Sequence, residues 1–228
     1  MRLYRFLDAD YGLKSIEERR LKISNMLDLN DPFDLLAFDM SDKYTRTKFK
    51  ETIEQVAQEN GLICFSEGWD NPVIWSHYAD KHKGICLGFD VPDHTLMKVN
   101  YQDHRVVFPY DQILNLTNFD DYPEDQQNLL VREFRKCLCT KYSHWSYERE
   151  WRAFVNLDQR LQGEKHYFTD FEDNMVLKEV IVGCKSKVTR NQLDDVLGDL
   201  KSGVKTFKVR PAFKQFKIVK NQNGKCWK

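Results

Sequence analysis

The alternation of apolar and polar positions divides this chain of 228 residues into short strands interleaved with helices. Residues 1–7 place Leu3, Arg5 and Leu7 on one face and predict a strand. Residues 10–27 read as a helix followed by an extended piece. Asn30-Asp31-Pro32-Phe33-Asp34 is a turn, because Pro32 has a fixed φ and pushes Asp31 out of the helical region. Phe49, Ile53, Val56 and Ala57 recur at helical spacing within 42–59, and Asn60-Gly61 is a stop signal. The apolar run 62–66 predicts a buried strand. Asn71-Pro72 opens a helix that runs to Lys81, and 84–89 and 99–108 predict further strands.

Residues 122–142 form the longest predicted helix, with Leu129, Leu130, Phe134, Cys137 and Leu138 on one face. Strands follow at 147–157 and 175–183, the latter with Ile181 and Val182 buried, and a helix at 189–201. The last two predicted strands, 204–209 and 213–219, alternate Lys with apolar side chains, as a half-exposed antiparallel sheet does. This order is not a regular βαβ repeat. It predicts a single α+β domain over 1–228, with a mixed or mostly antiparallel sheet, open to being split, and flanking helices.

Composition narrows the class. Apolar residues make up 41%, charged residues 31% and aromatic residues 13%, the profile of a soluble globular chain long enough to bury its own core. Thirty-five bases balance 35 acids, which argues against a bulk electrostatic nucleic-acid binder and leaves room only for a local basic patch. No apolar run approaches the roughly 20 residues of a membrane span, and the N-terminus lacks an apolar signal core. The expectation is a cytoplasmic protein with no membrane partner. Six cysteines without a CxxC pair read as reduced, mostly buried thiols, and no metal is expected from their spacing.

The common nucleotide-binding and hydrolase signatures are missing, so chemistry must be sought in local features. In Tyr147-Glu148-Arg149-Glu150-Trp151-Arg152, a strand puts Glu148, Glu150 and Arg152 on one face, with the carboxylates roughly 7 Å apart. Such crowding shifts a pKa or lets two acids grip one ligand; the plainer reading is a solvated face with Arg152 and lysines as partners. Ser66-Glu67 ends a buried strand, where loops carry function, or else serves as a turn. Arg5 in the Tyr4-Arg5 strand needs an anion, either a phosphate or an acid of the same protein. His77, beside Tyr78 in Trp75-Ser76-His77-Tyr78, is either an acid–base group or a helix histidine bonded to a neighbour. Trp75, Tyr78 and Trp145 are either core or ligand-stacking side chains.

Taken together, NDPFD at 30–34, CFSE at 64–67, WSHYADKHKGICLGFD at 75–90 and the K-Y-x-x-W-x-Y-E-x-E-W-R pattern at 141–152 resemble the bacterial domain-of-unknown-function 2971 family over nearly the whole chain. That resemblance implies no activity. A more distant one does: Arg5, Ser66 and Glu148-x-Glu150 fall in the order found in Arg–Ser–Glu mono-ADP-ribosyltransferases. It implies NAD as the substrate, with Arg5 on its phosphates or ribose, Ser66 at the nicotinamide ribose and Glu150 stabilising the oxocarbenium-like transition state. Glu148 then orients or activates the acceptor, a protein or nucleic acid. With Arg5 and Ser66, the neighbouring Tyr4, Glu67, His77 and Tyr78 complete the candidate ligand-binding set, around a nucleotide-like small molecule. The usual Ser-Thr-Ser is replaced here by Phe65-Ser66-Glu67, and no adenine-stacking residue is assigned.

Three functions therefore compete. One is an NAD-consuming transferase or glycohydrolase in a toxin or phage-defence setting, with Arg5, Ser66 and Glu150 in one cleft. Another is a carboxylate- or metal-dependent hydrolase or nuclease, with Glu67, His77, Glu148 and Glu150 converging. The third is a non-enzymatic binding module with Trp75, Trp145 and Trp151 in an exposed patch.

Overall fold

The computed structural model describes residues 1–106, 122–157, 166–171, 175–224 and 227. In chain order its elements are β1 Arg2–Leu7, α1 Ala9–Glu17, β2 Arg20–Lys22, β3 Ser24–Asn25, α2 Lys43–Glu59, β4 Asn60–Ser66, α3 Pro72–Tyr78 and β5 Ile85–Asp90. There follow β6 Leu96–Lys98, β7 Asn100–Gln102, α4 Glu124–Leu138, β8 Thr140–Tyr142, β9 Glu150–Asn156 and β10 Phe168–Asp170. The chain ends with β11 Val176–Val182, α5 Arg190–Leu197, β12 Lys205–Pro211 and β13 Ile218–Lys220.

The main sheet runs β13-β12-β11-β5-β1-β4-β9-β6, with β3 also on β4. All its pairings are antiparallel except β11 with β12. β1 lies along the whole of β5, from Arg2 opposite Asp90 to Leu7 opposite Ile85. Its register with β4 is a single position, Tyr4 opposite Ser66. The far end of the same β4 edge is taken by β3, with Ser24 opposite Leu62. The sheet thus opens between β1 and β4, as the α+β reading with a split sheet allowed.

Alternation along the strands sorts the core onto two faces. Leu3, Ile63, Phe65, Leu87, Val180 and Val182 pack on one face with Ile16 of α1 and Leu193 and Leu197 of α5. The other face carries two separate clusters. Leu62 packs with Phe49 and Ile53 of α2 and with Cys137 and Leu138 of α4. Phe6, Cys86 and Ile181 pack with Ile74 and Trp75 of α3. The helices start where side chains satisfy free backbone N–H groups: Asp8 caps α1, Asp42 caps α2, and Thr189 with Gln192 forms a capping box on α5.

Several expectations are corrected. The strand expected at 147–157 begins at Glu150, because 143–148 coil as a 3-10 helix and Arg149 is left-handed at φ 44°. The helix expected to reach Lys81 stops at Tyr78, since Asp80, Lys81 and His82 all have positive φ. The helix expected to reach Tyr142 stops at Leu138 and gives way to β8. Leu129 is 43% exposed rather than on the core face. Of 99–108, Asn100–Gln102 pairs parallel with β8 and Val106 bridges Phe38, while 107 and 108 lie outside the described residues. Of 213–219, only the end enters a strand, β13. The cysteines expected to be reduced are free thiols at 64, 86, 137, 139 and 184, and Cys226 lies outside the described residues. Among the described residues no helix is long and apolar enough to cross a membrane.

The left-handed turn 80–82 returns the chain to β5 through Gly84, where a Cβ would lie 2.0 Å from the Leu7 carbonyl oxygen. Gly84→Ala must therefore push β1 and β5 apart. It is expected to cost about 1–3 kcal/mol by overpacking, read as a lowered urea midpoint with an unchanged m-value.

Candidate functional site

A cavity of about 180 Å³ lies on the second face, where β1 and β4 separate. Phe6 and Ile74 from one apolar cluster and Leu29 and Cys64 from the other meet across it, so it occupies their seam. Its polar wall brings together residues far apart in sequence: Arg5, Asp34, Ser66, Tyr78, Lys141, Glu148 and Glu150.

A five-membered ionic network underlies that wall. Arg152 is fully buried. Its Nε donates to Glu150 Oε1 at 2.8 Å, its Nη1 to the Leu138 carbonyl at 2.6 Å, and its Nη2 to Asp34 Oδ1 at 2.6 Å. Lys141 Nζ, also buried, lies 2.8 Å from Glu148 Oε2, 3.2 Å from Glu150 Oε2 and 3.4 Å from Asp34 Oδ2. The remaining oxygen of Glu148 accepts from the Tyr78 hydroxyl. The left-handed residue Arg149 makes this possible. It turns the chain between the 3-10 helix and β9, so that Glu148 and Glu150 approach the same ammonium from different elements.

Three carboxylates thus share two cations, and the two glutamates respond in opposite directions. Burial alone would raise both. At Glu150 the Arg152 and Lys141 charges outweigh burial and hold the carboxyl down at about 2. Glu148 has only a share of Lys141, so burial wins and its pKa is raised. Lys141 is pushed up despite burial by the three acids around it, Glu150 foremost. Burial, then the Glu148 charge, raises the Tyr78 phenol.

The other residues singled out in the sequence are placed as follows. Arg5 is half-buried, and its Nη1 donates to the Cys64 carbonyl at 2.8 Å, on the stretch of β4 edge between the β1 and β3 pairings. No carboxylate pairs with it among the described residues. Ser66 is buried, and its hydroxyl donates to the Glu148 carbonyl. Tyr4 lines the cavity and donates to Glu179 Oε2 at 3.0 Å. Glu67 and His77 do not line the cavity. Glu67 accepts from Lys98 and from the Trp151 indole, and those bonds lower its pKa. His77 is exposed on α3 against Tyr78, Trp145 and Tyr147. Among the described residues no group of three or more His, Cys, Asp or Glu side chains is arranged to hold a metal ion. Trp75 does not join the exposed patch that the binding-module reading requires: it is fully buried, and its indole donates to the Trp69 carbonyl. Residue-level reading missed Asp34 and Lys141. Both stood in quoted motifs, Asp34 ending NDPFD and Lys141 opening the pattern that leads to Glu148, Glu150 and Arg152.

Fold and site define an α+β protein with a cavity at the split of its sheet, walled by a buried ionic network. A family model described as Protein of unknown function (DUF2971) matches residues 74–153. That span holds Tyr78, Lys141, Glu148, Glu150 and Arg152, and leaves Arg5, Asp34 and Ser66 outside it. No curated protein and no solved structure matches the chain.

Removing Arg152 leaves Glu150 and Asp34 buried around one ammonium. Arg152→Met is expected to cost about 3–5 kcal/mol in urea unfolding at pH 7. The pH dependence follows from the two glutamates. Glu150, depressed in the fold, contributes stability above its unfolded value near 4.5, and that contribution is lost as pH falls toward about 2. Glu148, raised in the fold, acts with opposite sign, favouring the native state below 4.5 and ceasing to as pH rises through its native value. In urea midpoints between pH 2 and 5, Glu150→Gln should therefore fall less steeply on acidification than the wild type. Between pH 5 and 8, Glu148→Gln should remove a loss of stability with rising pH.

Proposed function

We propose that the cavity binds the ribosyl end of a dinucleotide of the NAD type and that the protein cleaves or transfers at its N-glycosidic bond. The observation that carries this reading is the convergence of Arg5, Ser66, Glu148 and Glu150, from three separate segments, on one cavity whose wall sets three carboxylates against two cations. A nicotinamide riboside carries positive charge on its ring, and cleavage moves positive charge onto the sugar. An under-compensated carboxylate favours both.

The two glutamates divide the work. Both Glu150 oxygens are held by Arg152 and Lys141, so it orients and charges the wall. Glu148, with its pKa raised, one oxygen on the Tyr78 hydroxyl and the other on the shared Lys141, is the acid–base group. As the bond between ribose C1 and the ring nitrogen breaks, its electron pair remains on nitrogen and releases neutral nicotinamide. A bond forms from C1 to the oxygen of water or an acceptor hydroxyl, and the proton of that oxygen passes to Glu148. Arg5, free of carboxylate partners among the described residues, is the group for the phosphates. At about 180 Å³ the cavity is smaller than the roughly 300–1,000 Å³ of sites that enclose a drug-sized ligand. It fits a glycosyl-sized group, with the rest of the dinucleotide over its mouth.

The metal-hydrolase reading is less favoured because Glu67 and His77 do not line the cavity that Glu148 and Glu150 wall. The binding-module reading loses Trp75 to the core.

The test is NAD turnover, followed as nicotinamide release by chromatography, in the wild type, Glu148→Gln and Arg5→Gln, with thermal unfolding to confirm the fold. Glu148→Gln is expected to lower kcat about 10²–10³-fold with KM little changed, and Arg5→Gln to raise KM. No NAD binding and no nicotinamide release by the folded wild type would refute the assignment.

A further inference from the structure

The balanced charge of the chain conceals a segregation. Residues 201–228 contain nine of the 35 bases and none of the 35 acids, so the first 200 residues carry 26 bases against 35 acids. Most of this basic segment builds one edge of the main sheet, β12 and β13 with the loop between them. Of its cations, Lys217 is paired with Asp70 and Lys201 with Asp194. Arg210, Lys214 and Lys220 have no carboxylate partner among the described residues.

The same loop presents two large aromatic rings to solvent. Phe213 is 88% exposed and Phe216 is fully exposed. The Arg210 guanidinium lies 4.1 Å from the centre of the Phe213 ring, and a shallow groove runs from this pair past Lys214 and Gln215 to Lys220 and Gln222. Aromatic faces set among unpaired cations, with amides alongside, meet the three needs of an unpaired nucleotide chain. Rings stack its bases, cations neutralise its phosphates, and amide groups bond to base edges. A duplex hides its base faces and has no use for exposed rings. An anionic lipid surface would use rings and cations but not a concave groove lined by glutamines.

We infer that the β12–β13 edge is a docking surface for single-stranded nucleic acid. Phe213 and Phe216 act as stacking platforms, and Arg210, Lys214 and Lys220 as phosphate contacts. The surface stands independently of the chemistry proposed for the cavity.

Fluorescence anisotropy with labelled 20-nucleotide oligothymidine and oligouridine tests this, against a duplex of the same length and phosphatidylserine vesicles. The full chain is expected to bind at least one single strand more tightly than the duplex, with affinity falling as salt rises. Phe213→Ala with Phe216→Ala, both exposed positions, is expected to weaken single-strand binding by about tenfold or more while leaving thermal unfolding unchanged. Lys214→Gln should flatten the salt dependence by about one ion. The inference is overturned by any of three results: no single-strand binding at low salt, equal affinity of wild type and the double phenylalanine variant, or binding to vesicles or duplex alone. A preference between the two oligonucleotides tells DNA from RNA.

Discussion

The buried guanidinium of Arg152 is the constraint around which the rest of this structure is arranged. Taking it out of water is tolerable only because its bonds reach three separate places: Glu150 on its own strand, the Leu138 carbonyl ending α4, and Asp34 in the Asn30–Asp34 turn. The charge is thereby a joint between β9, a helix and a loop that share no backbone pairing. Two of the three partners carry negative charge, which calls in Lys141; Lys141 in turn reaches Glu148. The network grows by necessity until its charge nearly closes, and the carboxylate at its margin faces the cavity.

That margin is where the sheet comes apart. Had β1 paired with β4 throughout, the β4 edge would be sealed and the seam between the two apolar clusters closed. Instead β1 and β3 take the two ends of the same edge, and the Arg5 side chain satisfies the Cys64 carbonyl between them. Part of Arg5's hydrogen-bonding capacity is spent on this structural duty. A planar guanidinium with five donors can hold a backbone carbonyl and still present N–H groups to an anion, where a lysine would offer a single charged point. One residue thus satisfies the open strand edge and brings to the cavity a positive charge with no carboxylate partner among the described residues.

Much of the fold was legible in the sequence where a single periodicity ruled. β1, α2, β4, β5 and β11 lie within a residue or two of their patterns, because α2 buries one helical face and the strands send successive side chains to cores on both faces of the sheet. Legibility failed where backbone conformation departed from periodicity. Nothing in Tyr147-Glu148-Arg149-Glu150 announces that Arg149 is left-handed, so the two glutamates looked like neighbours on one strand face. They come together instead across a turn. Spacing along the chain puts Arg152 beside Glu150 as a partner but says nothing of its burial, which comes from α4 and the Asn30–Asp34 turn. Asp34 and Lys141 were invisible to local reading for the same reason: their chemistry exists only once segments about 110 residues apart are packed together.

A zero net charge argues against a bulk electrostatic nucleic-acid binder and leaves room for a local basic patch, and the β12–β13 edge concentrates bases in that way. Electrostatic attraction falls off within about a Debye length, roughly 8 Å at physiological salt. A polyanion arriving at β13 therefore senses the local cations of the β12–β13 edge more than acids elsewhere in the molecule. The acids themselves are partly removed from the far field, since Asp34, Glu148 and Glu150 are buried and their charge is largely offset by Lys141 and Arg152. What solvent meets is thus more uneven than the composition. Partial internal neutralisation at the cavity and concentration of bases at one sheet edge are two ways of distributing the same charges, the first leaving a carboxylate in excess at the cavity wall, the second leaving cations without carboxylate partners, among the described residues, on the surface.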